Sequence, residues 1–236
     1  QQAVWNEGSK CWDIRTNNGT KISSQFYVMA TGCLSMPKEI DLTGTEKFKG
    51  RTYFTNCWPH EGVDFTGQRV AVIGTGSSGI QSIPLIAEEA SQVTVFQRTA
   101  NYAAPANNGP VRTEHLEKLA KDRKTYREDA RWSRAGVPIT SSAEPFFTVD
   151  PEERLRRIEF GWNRGDLLTI NSSFADLVTN SGANTEVQEF FRNQVRAKVE
   201  DQNIAEDLCA RDFPLFTKRL CLETNYFETF NKPHVN

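Results

Sequence analysis

The feature that most limits what this chain can fold into lies between residues 68 and 99. Gln68-Arg69-Val70-Ala71-Val72-Ile73 is an apolar run with a polar start, the pattern of a buried parallel strand. Gly74-Thr75-Gly76-Ser77-Ser78-Gly79 follows at once. Ile80, Ile83, Pro84, Ile86 and Ala87 then recur at mostly helical spacing up to Ala90. Pro84 is expected in a first turn, where proline is tolerated. Val93-Thr94-Val95-Phe96 makes the next strand. Strand, glycine turn, helix and strand within about 30 residues form a βαβ unit, which predicts an α/β fold of Rossmann type.

A lone GxGxxG is weak evidence, but in this setting each glycine has a task. Gly74 permits the tight turn, Gly76 lets a pyrophosphate approach the backbone, and Gly79 lets helix and strand pack closely. The free N–H groups and positive dipole end at the helix start attract the phosphates. Ser77 and Ser78 add hydroxyl donors, and Thr75 and Gln81 complete the expected cofactor-facing set. A dinucleotide site of the NAD or FAD kind places an acidic residue at the end of the second strand. Here the strand ends in Gln97-Arg98-Thr99, with Arg98 nineteen positions after Gly79. A guanidinium fork suits a 2′-phosphate, which a carboxylate repels, so Arg98 and Thr99 point to NADP(H).

Composition narrows the alternatives. The 236 residues carry a net charge of −2, so no chain-wide basic footprint for nucleic acid exists. No apolar run reaches the roughly 18 residues of a membrane span. No charged-then-apolar leader opens the chain, which predicts no signal peptide. The five cysteines, Cys11, Cys33, Cys57, Cys209 and Cys221, form no CxxC, which disfavours a zinc ribbon or a redox dithiol. They are read as reduced structural thiols in a cytoplasmic protein. His60, His115 and His234 are scattered and read as surface or structural, and no metal cluster is visible.

The first 30 residues read as strands in mid-sheet. Ala3-Val4-Trp5 and Cys11-Trp12-Asp13-Ile14-Arg15 alternate, with Asn17-Asn18-Gly19 as a hairpin turn. Phe26-Tyr27-Val28-Met29 predicts a short buried strand closed by Ala30-Thr31-Gly32. Both need a parent sheet, so a fragment is expected. Between 103 and 210 the pattern turns helical. Val111–Trp132 reads as one amphipathic helix with Leu116, Leu119 and Tyr126 on its stripe. Asp150-Pro151-Glu152-Glu153 is a helix start, and Thr185-Glu186-Val187-Gln188 reads as a capping box before Phe190, Phe191 and Val195.

Phe48-Lys49-Gly50-Arg51-Thr52-Tyr53-Phe54-Thr55-Asn56-Cys57-Trp58-Pro59 resembles the Baeyer–Villiger monooxygenase fingerprint, FxGxxxHxxxW followed by P or D. Phe48, Gly50, Trp58 and Pro59 match, and Phe54 stands where the family has histidine. The order of parts, down to Phe216-Thr217-Lys218-Arg219-Leu220, resembles the family across nearly the whole chain, in its phenylacetone and steroid monooxygenase branch.

The resemblance implies an FAD domain with an NADP domain inserted. Residues 1–38 are similar to late FAD-domain strands, with Ala30, Thr31 and Gly32 near FAD. Residues 39–65 are similar to a linker carrying the fingerprint. Residues 66–218 are similar to the NADP domain, with a helical insert at about 103–210, and 219–236 to the return into the FAD domain. The chain holds one GxGxxG, so an FAD glycine loop is absent, and the fragment alone is expected to be colourless and inactive. By the same resemblance Lys218 helps bind the NADP phosphate. Arg219 stands beside flavin and nicotinamide and stabilises negative charge while oxygen enters a ketone. The implied reaction takes NADPH, FAD, O2 and a small ketone to an ester or lactone, with the rest of the FAD domain as partner. A flavin-containing or N-hydroxylating monooxygenase acting on a heteroatom, and a non-catalytic NADP-binding module, are the alternatives; an apolar ring at Phe54 cannot bond or titrate as imidazole does.

Overall fold

A computed structural model describes residues 2–32, 34–36, 42–111, 113–133, 136–165 and 168–236. Cys33 and the expected domain boundary at residue 38 lie outside the described residues, as does the side chain of His115. The chain forms two compact units, Gln1–His60 and Glu61–Asn236.

In the first unit, β1 (Gln2–Asn6), β2 (Cys11–Arg15) and β3 (Lys21–Ser24) make an antiparallel meander. Trp5 pairs with Trp12 across the ladder, their rings edge to face at 5.5 Å. The Asn17-Asn18-Gly19 turn joins β2 to β3 as expected. Gly19 takes φ 86°, and the Asn18 side chain accepts from the Thr20 amide at 3.1 Å. The strand expected at Phe26–Met29 is not formed. Phe26 and Val28 are 82% and 84% exposed, since no described strand pairs with the run and only Tyr27 packs, its ring 5.6 Å from that of Trp12.

The second unit contains the βαβ segment: β4 (Arg69–Ile73), α1 (Ser77–Glu89) and β5 (Gln92–Phe96). β4 and β5 pair in parallel, and Val235 bridges to Val93 on the far side of β5. Only one face is covered. Val93 is fully buried, while the paired Ile73 and Phe96 are 67% and 56% exposed, so the strand pair is half-buried and not the fully enclosed one the apolar run suggests. Pro84 sits in the body of α1 and not in its first turn. Its ring is buried, and that packing offsets the hydrogen bond a proline removes.

β6 (Ala103–Pro105) precedes a helical stretch. The helix expected at Val111–Trp132 is two: α2 (Thr113–Lys121) and α3 (Arg123–Trp132). Asp122 breaks it by capping α3, accepting from the Thr125 amide at 3.0 Å. α4 (Pro151–Arg164) starts where expected, with the Asp150 carboxylate accepting from the Glu152 amide at 2.9 Å. Gly165 ends it at φ 72°. α5 (Thr169–Ser172) packs on α4. α6 (Ser181–Lys198) begins four residues before the expected box, because Asn180 caps it through the Gly182 and Ala183 amides. Thr185 is therefore inside the helix and returns its hydroxyl to the Ser181 carbonyl at 2.8 Å. α7 (Gln202–Leu208), β7 (Cys221–Glu223) and α8 (Tyr226–Thr229) complete the unit, with β7 parallel to β6.

The main core lies among these helices. Phe146, Ile158, Trp162, Ile170, Val187 and Phe191 are its buried centre, with Trp162 edge-on to Phe191 at 5.1 Å. Among the described residues no helix is long and apolar enough to cross a membrane. Cys11, Cys57, Cys209 and Cys221 are free thiols.

Candidate functional site

The glycine turn has the shape that dinucleotide phosphates require. Gly74 takes φ 101°, a left-handed state that glycine enters freely, and its N–H bonds the Phe96 carbonyl at 2.9 Å. Gly76 is the cap of α1 with no side-chain hydrogen bond, and a Cβ there would meet nothing within 4 Å. The start of α1 thus faces open space with no side chain claiming its amides. A Cβ at Gly79 would collide with the Gly74 carbonyl, which is why the third glycine is fixed.

The other cradle residues divide into two kinds. Thr75 is buried, and its hydroxyl donates to the Thr99 carbonyl at 3.2 Å, tying the loop to the segment after β5. Gln81 donates to the Leu222 carbonyl at 3.2 Å, so it anchors α1 to β7. Ser77 is exposed, with its hydroxyl 3.3 Å from the Cys221 thiol. Ser78 and Arg98 are exposed, and Arg98 makes no hydrogen bond or ion pair among the described residues.

Two supporting side chains carried no motif. The Asn101 amide donates to the Thr75 carbonyl at 2.6 Å, and the Gln97 amide to the Asp207 carbonyl at 2.7 Å. An asparagine among Ala100, Tyr102, Ala103 and Ala104 was the one signal for the first of these.

Lys218 and Arg219 lie outside the glycine turn, on the segment that leads into β7. Both are exposed, and both line a cavity of about 1220 Å3 with Tyr126, Arg164, Phe216 and Leu222. None of the glycine-loop residues, nor Arg98, lines it. The Lys218 ammonium stands 4.0 Å above the Phe213 ring, a cation–π contact. Both basic residues lie just before β7, the strand that Gln81 bonds, and that link brings their segment to the glycine-loop helix.

The end of β7 is held by a charge cluster centred on one buried carboxylate. Glu223, 1% exposed, pairs with Lys198 at 2.8 Å and accepts from the Tyr226 amide at 3.0 Å. Glu228 approaches Lys198 at 3.0 Å. Burial alone lowers the Lys198 pKa, but its hydrogen bonds to Glu223 and Glu228 outweigh that and hold it above the usual lysine range. Burial also pushes the Tyr226 phenol well above its usual range.

In the first unit, the exposed Phe48 ring folds over Gly50, 2.5 Å from where a Cβ would stand, and a side chain there would make the ring swing aside. Tyr53 and Trp58 rings pack at 5.9 Å, and Phe54, 46% exposed, precedes a short 3-10 turn at Thr55–Cys57. Pro59 is half-buried. Ala30, Thr31 and Gly32 are exposed and outside any regular element, with Gly32 at φ 72° and the Ser35 hydroxyl bonding the Thr31 carbonyl. His60 is exposed, and His234 bonds the Ala87 carbonyl at 2.9 Å, a structural contact. Among the described residues no group of three or more His, Cys, Asp or Glu is arranged to hold a metal.

No family model matches the chain. Individual proteins do. The chain is 36% identical over 239 residues to cyclohexanone 1,2-monooxygenase of Acinetobacter sp., covering 100% of this chain and 43% of that protein. It is 34% identical over 239 residues to a Baeyer–Villiger monooxygenase of Pseudooceanicola batsensis, covering 99% of this chain and 42% of that protein. Among solved structures, a steroid monooxygenase bound to NADP superposes with TM-score 0.90 at 39% identity, over 99% of this chain and 45% of that one. A complex of OTEMO with FAD and NADP superposes with TM-score 0.93 at 33% identity, over 100% of this chain and 45% of that one. The chain therefore spans somewhat under half the length of the relatives it matches. Over that span its relatives are Baeyer–Villiger monooxygenases.

Proposed function

We propose that this chain is the NADP(H)-holding part of a monooxygenase that inserts one oxygen atom of O2 into a small ketone, giving an ester or lactone. The observation that carries it is the glycine turn, with Gly74 left-handed and Gly76 facing open space at the start of α1. Gly74, Thr75, Gly76, Ser77, Ser78 and Gly79 form the pyrophosphate cradle, with Gln81 behind it. Arg98, with Thr99 beside it and Lys218, selects the 2′-phosphate of NADP(H). Of the supporting complexes, the steroid monooxygenase holds NADP and OTEMO holds FAD and NADP.

FAD, when bound, supplies the electron transfer and oxygen activation. The sequence has one GxGxxG, which the NADP(H) assignment uses, so this chain's residues do not by themselves make an FAD cradle. Ala30, Thr31 and Gly32 are assigned to the FAD-facing part of the whole protein. Arg219 supplies a permanent positive charge that stabilises negative charge on the reacting ketone oxygen without giving up a proton.

The domain reading follows the same lines: late FAD-domain strands at 1–38, a fingerprint linker at 39–65, an NADP domain at 66–218 with its helical insert, and the return to the FAD domain at 219–236. Free thiols fit a reducing cytoplasm. A second reading, oxidation of a heteroatom, draws on Phe54 in the fingerprint and on 31% identity over 99% of this chain to a phenazine N-monooxygenase of Lysobacter antibioticus. The test is to incubate the full-length protein with NADPH, labelled O2 and a panel of ketones and tertiary amines. One labelled oxygen in an ester supports the first reading, and label only in an N-oxide supports the second.

A further inference from the structure

Asn184 sits inside α6, 4% exposed, and uses the whole hydrogen-bonding capacity of its amide. Its nitrogen donates to the Leu177 carbonyl at 3.0 Å and the Leu215 carbonyl at 3.1 Å. Its oxygen accepts from the Leu215 amide at 3.0 Å and from the Gln188 side chain at 2.7 Å. Both backbone groups of Leu215 are thus bonded by one side chain, as a neighbouring strand would bond them.

Leu215 opens the segment that carries Lys218 and Arg219. Pro214 to Thr217 is a tight turn, with the Thr217 amide and hydroxyl both on the Pro214 carbonyl at 3.2 and 2.7 Å. Within it Phe216 takes φ 70°, a state that bulky residues rarely adopt and that persists only where the surroundings force it. Downstream, the Cys221 amide bonds the Tyr102 carbonyl at 3.1 Å. Lys218 and Arg219 are exposed and make no hydrogen bond among the described residues, so beyond the Lys218 contact with the Phe213 ring two backbone anchors set their place: Leu215 on Asn184, and Cys221 on Tyr102. The anchors are joined. The Gln188 side-chain oxygen accepts from the Tyr102 hydroxyl at 2.8 Å, and the neighbouring Asn101 bonds Thr75 in the glycine turn.

We infer that Asn184 is a positioning residue for the cofactor site: it holds the turn before Lys218 and Arg219 in register with the glycine loop, through Leu215 on one side and Gln188 and Tyr102 on the other. The inference rests on the reading that Lys218 contacts the NADP(H) phosphate. It concerns neither contact with cofactor nor chemistry by Asn184 itself.

The experiment measures NADPH and NADH dissociation constants for the full-length protein and its Lys218→Ala, Asn184→Ala and doubly substituted forms. The expected result is that Asn184→Ala lowers the NADPH-to-NADH affinity ratio about five- to tenfold with NADH binding little changed. The double variant should then be no worse than Lys218→Ala alone, because the two effects share one path. Equal loss of both cofactors, or an unchanged ratio while Lys218→Ala lowers it, overturns the inference. An unchanged ratio in Lys218→Ala overturns the phosphate assignment itself. Amide exchange on the unsubstituted protein stands independently of whether Asn184→Ala folds. The Leu215 amide is expected to exchange only on global unfolding, and fast local exchange there contradicts the anchor.

Discussion

The carbonyl oxygen of Gly74 occupies the space a side chain on Gly79 would need. One end of the turn thus dictates the residue at the other, and the close approach brings α1 onto β4. Gly79→Ala must push the helix away or bend the turn. Overpacking of this kind costs roughly 1–3 kcal/mol, and it moves the amides that face the phosphates. The expected outcome is a lower thermal midpoint together with weaker binding of both NADPH and NADH, read by calorimetry. Unchanged binding would detach the turn from the cofactor.

Asp176 caps a second contact that can be read by pH. It accepts from the Phe146 amide at 2.7 Å, and that bond, with the one from the Asn180 side chain at 2.9 Å, holds its carboxyl below the usual aspartate range. A depressed folded-state pKa contributes stability that is complete above the unfolded value of about 3.9 and is lost as pH falls through the folded value. Asp176→Ala should therefore destabilise by about 1.5 kcal/mol at pH 7 and by progressively less below about pH 4, measured by urea unfolding at several pH values. A pH-independent difference would contradict the assignment.

The βαβ segment was legible because its signals are local: an apolar run, three glycines at fixed offsets and a helical stripe. So was the start of α4, where cap, proline and acid lie within four residues. The rest depended on distant partners. Phe26–Met29 has the composition of a strand and no neighbour to pair with, so it stays exposed. Thr185 and Gln188 copy a capping box inside α6, and only the bonds from Asn180 reveal the true start. Asp122 splits α2 from α3 inside a stripe that reads as continuous. Asn184 acts on Leu215, 31 positions away, a relationship with no periodicity to announce it.

Lys198 and Glu223 make a strong stability prediction. Removing the ammonium leaves a carboxylate 1% exposed without its partner. Breaking a buried pair from one side costs about 3–5 kcal/mol, and somewhat less here because the Lys198 side chain is 23% exposed. Lys198→Met should lower stability by roughly 3 kcal/mol, and Lys198→Met with Glu223→Gln should recover part of it. For the unsubstituted protein the raised lysine pKa contributes stability that is complete below about pH 10.4 and is lost as pH rises through the folded value. Alkaline unfolding curves of the variant and its parent should converge there.

Arg219 is assigned to charge stabilisation and not primarily to cofactor affinity. Loss of one such preorganised donor typically costs 10²–10³ in turnover. Arg219→Ala in the full-length protein should still bind NADPH and oxidise some of it, yet form little ester. Arg219→Lys should recover only part, since an ammonium lacks the planar fork. Ester formed per NADPH consumed, followed by chromatography, reads the split. Near-normal ester yield from the alanine variant would make Arg219 a surface charge at the end of its turn.

The proposal that the glycine turn and Arg98 hold NADP(H) depends on the unpaired guanidinium of Arg98, two residues past the end of β5. A charge-assisted bond contributes about 1.5–3 kcal/mol, which corresponds to roughly a ten- to hundredfold preference for the phosphorylated cofactor. The most direct measurement is a titration of the full-length protein and its Arg98→Ala form with NADPH and with NADH. The parent should bind NADPH more tightly than NADH, with most of that preference lost in Arg98→Ala and NADH affinity nearly unchanged. An NADPH-to-NADH ratio that survives the substitution would contradict it.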